Sequence, residues 1–110
     1  MVVADRLTAA GWTILGRNVR VGRDELDLIA ADPGPPRATV IVEVRWRASR
    51  AFGFGEETVD GRKRMRLRRA AWRWLEEHPG SHTELRFDLL VVEPAADGGP
   101  PRIRHHRAAF

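Results

Sequence analysis

The chain has 110 residues, 43% of them hydrophobic and 31% charged, which predicts one globular domain over residues 1–110 and excludes a disordered chain. It contains no cysteine, which excludes a disulfide framework, a thiolate nucleophile and a cysteine metal cluster. No apolar run approaches the length of a membrane span, and residues 1–15 lack the layout of a secretory signal. We therefore expect a cytoplasmic protein without a membrane partner.

The basic residues are unusual in kind. Lys63 is the only lysine, so arginine supplies 18 of the 19 basic residues and the formal net charge is +4. Arginine binds phosphate in a bidentate way, which suits a nucleic-acid partner. Genomic codon bias explains the same preference, because alanine, glycine and proline are also plentiful. The charge alone does not decide between these explanations.

The elements follow from hydrophobic pattern and from breakers. In chain order we predict a helix over 2–10, strands over 12–20, 25–31 and 38–46, a helix over 62–78, and strands over 85–93 and 102–105. Gly11 ends the first helix, and the short turn at 21–24 predicts a hairpin between the first two strands. The expected fold is α/β, a mixed sheet of about five strands flanked by helices.

The second helix carries more apolar residues than one stripe can hold. Met65, Ala71, Trp72 and Leu75 fall on roughly one face, so we expect Trp72 in the core. Trp74 lies only two residues further and cannot share that face. We expect Trp74 in a subunit interface, which would make the protein a homodimer, or stacked on a nucleic-acid base.

Carboxylates are placed where two strands would meet. Glu25 and Asp27 share one face of the alternating segment 25–31, and Glu43 and Arg45 share a face of the next strand. If these faces match, three carboxylates and a guanidinium converge, which suits Mg²⁺ or Mn²⁺ and phosphodiester hydrolysis. A cross-strand salt bridge on a solvated face is the structural alternative.

Several stretches carry a resemblance to a known family. They are ILGRNVRVGRDELDLIA, VIVEVRWRAS, FGFGEETVDGRKRMRLRRAAWRWL, RFDLLVV and a terminal HHRAAF. In this order, over nearly the whole chain, they resemble the YraN family of poorly characterised bacterial proteins. That family is similar in fold to archaeal Holliday-junction resolvases and other restriction-endonuclease-like nucleases. The resemblance implies a restriction-endonuclease-like domain and a nuclease motif formed by Asp27 and Glu43-x-Arg45, with the Val44 carbonyl as a further ligand.

Two positions depart from the family pattern. Arg45 stands where the VEVK-like segment usually has lysine, and arginine is bulkier and stays protonated. The glutamate that relatives usually carry on the first helix would fall one position before Met1. We expect Asp27 and Glu43 to hold the metal, Glu25 to tune the site and Arg45 to replace the lysine.

Basic residues near this motif are candidates for phosphate contacts. We expect DNA to be bound by Arg47, Arg62, Lys63, Arg66 and Arg69. A solvated amphipathic helix explains the basic run over 62–73 equally well. The segment Phe52–Gly55 reads either as a substrate clamp or as a packed turn.

Two further groups of polar residues have ordinary structural explanations. Adjacent His105 and His106 are a weak zinc signal, which we discount because no partnered spacing accompanies them. Asp88 beside Arg86 is explained by a local ion pair, and a supporting role at the metal site is the alternative.

Three functions follow from these features. The first is a Mg²⁺- or Mn²⁺-dependent endonuclease acting on DNA, including branched or damaged DNA. The second is a catalytically degenerate nucleic-acid-binding module that uses the arginine-rich helix. The third is a dimeric interaction protein that keeps only the fold.

Overall fold

A computed structural model of the chain describes residues 2–47, 60–80 and 84–110. These residues form α1 (Val2–Ala9), β1 (Thr13–Val21), β2 (Asp24–Asp32), β3 (Ala38–Trp46), α2 (Gly61–Glu77), β4 (Leu85–Glu93) and β5 (Arg102–His106). The predicted order of elements is confirmed, and β3 and β4 match their predicted ranges residue for residue. The predicted loop Phe52–Gly55 lies outside the described residues.

The five strands form one sheet in the order β1-β2-β3-β4-β5. β3 and β4 are parallel, and the other neighbouring strands are antiparallel. The predicted hairpin is confirmed, with Gly22 at φ 61 in the turn, a conformation that glycine adopts without steric cost. Parallel neighbours need a crossover connection, and α2 lies within the one between β3 and β4. The mixed sheet with its two helices confirms the predicted α/β, restriction-endonuclease-like fold.

Each helix covers its own hydrophobic cluster. Val3, Ala4 and Leu7 of α1 pack with side chains such as Val40 and Val42 of β3. On the other side, α2 buries a separate set of residues with Ile41 and Phe87. β3 is the central strand and is covered from both sides, because its alternate residues enter both clusters. Neither described helix combines the length and apolar character needed to cross a membrane.

The predicted roles of the two α2 tryptophans are wrong. Trp72 is 55% exposed and Met65 is 72% exposed, whereas Trp74 is only 6% exposed. Trp74 also stacks on His78, with ring centroids 4.1 Å apart. The physical reason is a second apolar stripe, whose residues follow one another at alternating intervals of three and one positions and therefore lie on one face of the helix, which faces the core. Its members are Leu67, Ala70, Ala71, Trp74 and Leu75.

The strict alternation predicted for β2 is also wrong, and the break occurs at Asp27. Leu26 belongs to the cluster under α2, but Leu28 belongs to the cluster under α1. The pairing of β2 with β3 begins at Leu28 opposite Val42 and continues toward Asp32. The two strands therefore separate at the position of Asp27 and Glu43. We call this place the β2–β3 fork.

Candidate active site

Asp27 is held at the fork by the backbone of the neighbouring strand. Its Oδ2 accepts a hydrogen bond of 2.9 Å from the N–H of Val44. The Asp27 side chain thereby gives the N–H of Val44 a partner just beyond the last residue pair of the β2–β3 ladder, where no backbone carbonyl of β2 is paired with it. The side chain of Asp27 is therefore fixed at the edge of the fork and half-buried.

Glu43 lies in the middle of β3 and is buried, with 8% of its side chain exposed. Lys63 Nζ donates a hydrogen bond of 2.5 Å to Glu43 Oε1. Burial raises the pKa of the Glu43 carboxyl, and the charge of Asp27 raises it further; the contact with Lys63 and the charge of Arg45 oppose that rise. The net pKa is raised, so the ion pair does not fully offset the loss of hydration. A carboxylate kept in such a place is typical of functional sites.

Lys63 reaches Glu43 because α2 starts at a fixed point. Asp60 is the N-cap, and its Oδ1 accepts a 2.9 Å hydrogen bond from the backbone N–H of Lys63. This bond is the largest cause that lowers the pKa of the Asp60 carboxyl. The cap holds the first turn so that Lys63 points toward β3. The sequence groups Lys63 with the basic residues expected to bind DNA, and the structure pairs it with Glu43.

Two of the three expected carboxylates come together. The charge of Asp27 affects Glu43, but Glu25 is exposed and lies in register with Arg20 of β1. Within residues 2–47, 60–80 and 84–110, no three histidine or acidic residues form a group that could hold a metal ion. Arg45 is half-buried and close enough that its charge lowers the pKa of the Glu43 carboxyl.

The remaining basic candidates lie beside the fork or along α2. Arg62, Arg66 and Arg69 are exposed on α2, and Arg69 pairs with Asp24 at 3.2 Å. Arg47 follows β3 directly and is half-buried, with its backbone N–H bonded to Val92. The outer surface of α2 is therefore strongly cationic, as the basic run predicts, and it also presents Trp72.

A second polar cluster is centred on Asp88, which is completely buried. Arg86 donates two hydrogen bonds of 2.8 Å, one to each carboxylate oxygen. His105 Nε2 lies 2.7 Å from Oδ2, and the N–H of Ala108 donates to Oδ1 at 3.0 Å. Burial alone would raise the pKa of the Asp88 carboxyl, but these hydrogen bonds together lower it.

This second cluster lies on the side of the sheet away from the contact between Glu43 and Lys63. Asp88 lies beside Val42, whose side chain enters the cluster under α1, whereas Glu43 contacts α2. The predicted ion pair with Arg86 is confirmed, and the alternative of a supporting role near Asp27 and Glu43 stays a prediction. The sequence also missed His105 as a partner. The available signal was the carboxylate itself, because a buried acid in an apolar strand requires several donors.

Comparison with known proteins identifies relatives along most of the chain. The model of the uncharacterised protein family UPF0102 matches residues 1–92. A UPF0102 protein of Frankia casuarinae is 43% identical over 109 residues, which is 99% of this chain and 89% of that protein. One of Halorhodospira halophila is 46% identical over 87 residues, covering 79% of this chain and 67% of that protein. The chain therefore belongs to the uncharacterised protein family UPF0102, the YraN family.

Proposed function

We propose that this protein is a metal-dependent nuclease that acts on DNA, with Asp27 and Glu43 as ligands of Mg²⁺ or Mn²⁺. One observation carries the proposal: Glu43 is buried with its pKa raised, next to a second carboxylate, where the β2–β3 fork opens the sheet. Such a costly arrangement is expected where chemistry needs concentrated negative charge. The fold resemblance supplies the reaction class, hydrolysis of a phosphodiester.

The residues of the fork fit a hard divalent cation. The carboxylates of Asp27 and Glu43 and the backbone carbonyl of Val44 would supply oxygen ligands of the kind that Mg²⁺ and Mn²⁺ prefer. Mg²⁺ usually completes its coordination shell with water. The ammonium of Lys63, 2.5 Å from Glu43 Oε1, marks a position where positive charge is stabilised. Mg²⁺ or Mn²⁺ bound there would polarise a phosphate oxygen toward attack by water.

The protein residues have separate tasks in this hydrolysis. A water oxygen forms a bond to phosphorus as that water gives up a proton to the solvent, the ester P–O bond breaks, and the leaving oxygen takes up a proton from the solvent. Asp27, fixed by Val44, and Glu43, fixed in β3, hold the negative side of the site in place. The guanidinium of Arg45 adds a positive charge beside Glu43, close enough to act on that carboxyl group.

The arginines of α2 would bind the DNA backbone. Arg62 and Arg69 are seven positions apart on the helix, which corresponds to about 10 Å along its axis. That distance spans roughly three base pairs of duplex at about 3.4 Å each. Because α2 begins beside Glu43, a backbone bound along this helix passes the fork.

The test is cleavage by the purified protein with Mn²⁺ or Mg²⁺, using junction, flap, single-stranded and duplex DNA. We expect cleavage of at least one branched substrate, abolished by Asp27→Ala and by chelation of the metal. Asp97→Ala is the matched control, because Asp97 is an exposed carboxylate in the loop before β5 that accepts a hydrogen bond from the N–H of Gly99. Absence of cleavage on all four substrates with either metal would refute the proposal.

A second function, nucleic-acid binding without catalysis, is favoured by the outer surface of α2. That surface combines exposed arginines with the 55% exposed Trp72, whose ring can stack on a base. Binding should then be strongly salt-dependent and should survive Asp27→Ala without metal. Loss of binding in Asp27→Ala would favour the nuclease instead. The homodimer remains a prediction, although Trp74 no longer supports it because Trp74 is in the core.

A further inference from the structure

Lys63 combines three properties that no other basic residue has together within residues 2–47, 60–80 and 84–110. It is the only lysine among 19 basic residues, it contacts buried Glu43, and 37% of its side chain remains exposed. We infer that Lys63, and not Arg45, is the cation that contacts the scissile phosphate beside Asp27 and Glu43, and that its ammonium rests on Glu43 while no divalent cation is bound. This inference rests on the proposed nuclease function.

The position of Lys63 is unfavourable for an ordinary surface cation. It lies in the first turn of α2, where the helix dipole is positive and acidic residues are preferred. The Asp60 cap nevertheless fixes its backbone there, and Glu43 receives its ammonium. A compact ammonium with three donors can leave one acceptor for another at little geometric cost, which a planar guanidinium cannot.

The phosphate would reach Lys63 from the exposed side of α2. Arg62 and Arg66 flank it on the helix and are exposed, so a backbone phosphate bound by them lies next to the partly exposed ammonium. Arg45 lies on β3 itself, and its charge acts on Glu43 from the same strand. The ammonium at the helix start therefore contacts the carboxylate and also lies next to the arginines that would bind the DNA.

A purely structural role for Lys63 would produce the same contact with Glu43, so the tests must separate the two roles. If Lys63 only neutralises Glu43, its removal leaves a buried carboxylate without a partner and weakens the protein generally. If Lys63 also gives way to a divalent cation, its removal eliminates a competitor. Metal affinity should then rise while cleavage falls, and a structural role does not predict that combination.

The first experiment uses the unaltered protein. Because Lys63 is the only lysine, labelling lysine with ¹³C at Cε gives one lysine resonance in the NMR spectrum. We expect titration with Mg²⁺ to move that resonance in the wild-type protein and not in Asp27→Asn. An unmoved resonance, under conditions where calorimetry shows Mg²⁺ bound, would overturn the inference and leave the proposed function intact.

The second experiment measures Mn²⁺ binding and cleavage in Lys63→Met. Binding is measured by electron paramagnetic resonance at about pH 8.5, where proton competition for the ligands is small. We expect the Kd for Mn²⁺ to fall about tenfold, since one charge-assisted hydrogen bond no longer competes. We expect kcat for DNA cleavage to fall about a hundredfold, with KM changed by less than about threefold.

Arg73→Met is the matched control for metal binding. Arg73 is an exposed cation of the same helix, ten positions from Lys63 and about 15 Å away along the axis, beyond the screening length of about 10 Å. The Kd of the Arg73→Met protein for Mn²⁺ should stay within about twofold of the wild-type value. Equal or weaker binding in Lys63→Met, or an unchanged kcat, would overturn the inference alone. Failure of the wild-type protein to bind Mn²⁺ would overturn the proposed function and this inference with it.

Discussion

Asp88→Asn is expected to destabilise the fold strongly. The carboxylate accepts two hydrogen bonds from Arg86 and one from the N–H of Ala108, and it contacts His105. Asparagine keeps one acceptor oxygen, but its amide group places a donor against a donor of Arg86 or His105. Losing two hydrogen bonds to a charged group at about 1.5 kcal/mol each gives about 3 kcal/mol. Breaking a buried charge pair costs a similar amount.

The assay is urea unfolding followed by circular dichroism, at neutral pH and at a series of lower pH values. A loss of about 3 kcal/mol corresponds to a fall of roughly 12 °C in Tm for a domain of this size. The lowered pKa of Asp88 makes its stabilising contribution full above the ordinary value of 3.8 and lost as pH falls through the folded value. The difference in the free energy of unfolding between wild type and Asp88→Asn should therefore become smaller at acidic pH.

The control for this prediction is Asp97→Asn. Asp97 is exposed, and its Oδ1 accepts a hydrogen bond from Gly99 that asparagine can also accept. Its free energy of unfolding should change by less than about 0.5 kcal/mol. A loss below about 1 kcal/mol for Asp88→Asn, or a loss that does not depend on pH, would refute the reasoning about the buried cluster.

Two further predictions concern α2 and the fork. Glu43→Gln should stabilise the protein by about 1 kcal/mol at neutral pH in thermal unfolding, because burial raises the pKa of the Glu43 carboxyl. The protonated carboxyl favours folding at pH values below its ordinary pKa of 4.5, and this advantage is lost as the pH rises through the pKa in the folded state. A destabilised Glu43→Gln would contradict this. Trp74→Ala should cost about 3–5 kcal/mol in urea unfolding, whereas Trp72→Ala should change stability by less than about 0.5 kcal/mol. The reverse order would mean that the buried stripe of α2 is misassigned.

The strands were predictable because their signals are local. β3 carries a dense run of β-branched residues after a proline-rich loop, so both of its ends followed from the sequence. The rotation of α2 was not predictable in the same way. Met65 and Trp72 are seven positions apart and form an apolar stripe of their own, so the helix has two candidate faces. Only packing against Ile41 and Phe87 decides which face is buried.

The candidate site was predictable in its residues but not in its geometry. Asp27 and Glu43 followed from the motif, but the break in alternation at Asp27 appears only in the packing, where Leu26 and Leu28 enter different clusters. The partnership of Lys63 with Glu43 joins residues 20 positions apart on different elements. Neither periodicity nor spacing fixes the direction in which a helix starts, so a contact of this kind requires the three-dimensional structure.

The last strand has a practical consequence for anyone who trims this protein. The match to the family model ends at residue 92, but β5 spans Arg102–His106 and pairs along β4 from Leu89 to Glu93. A fragment cut at residue 92 would turn β4, with its run of buried leucines and valines, into an open sheet edge. It would also deprive Asp88 of His105 and of the Ala108 N–H. Such a fragment would combine an exposed strand edge with a buried Asp88 carboxylate that lacks two of its hydrogen-bond partners, so we expect it to self-associate during expression.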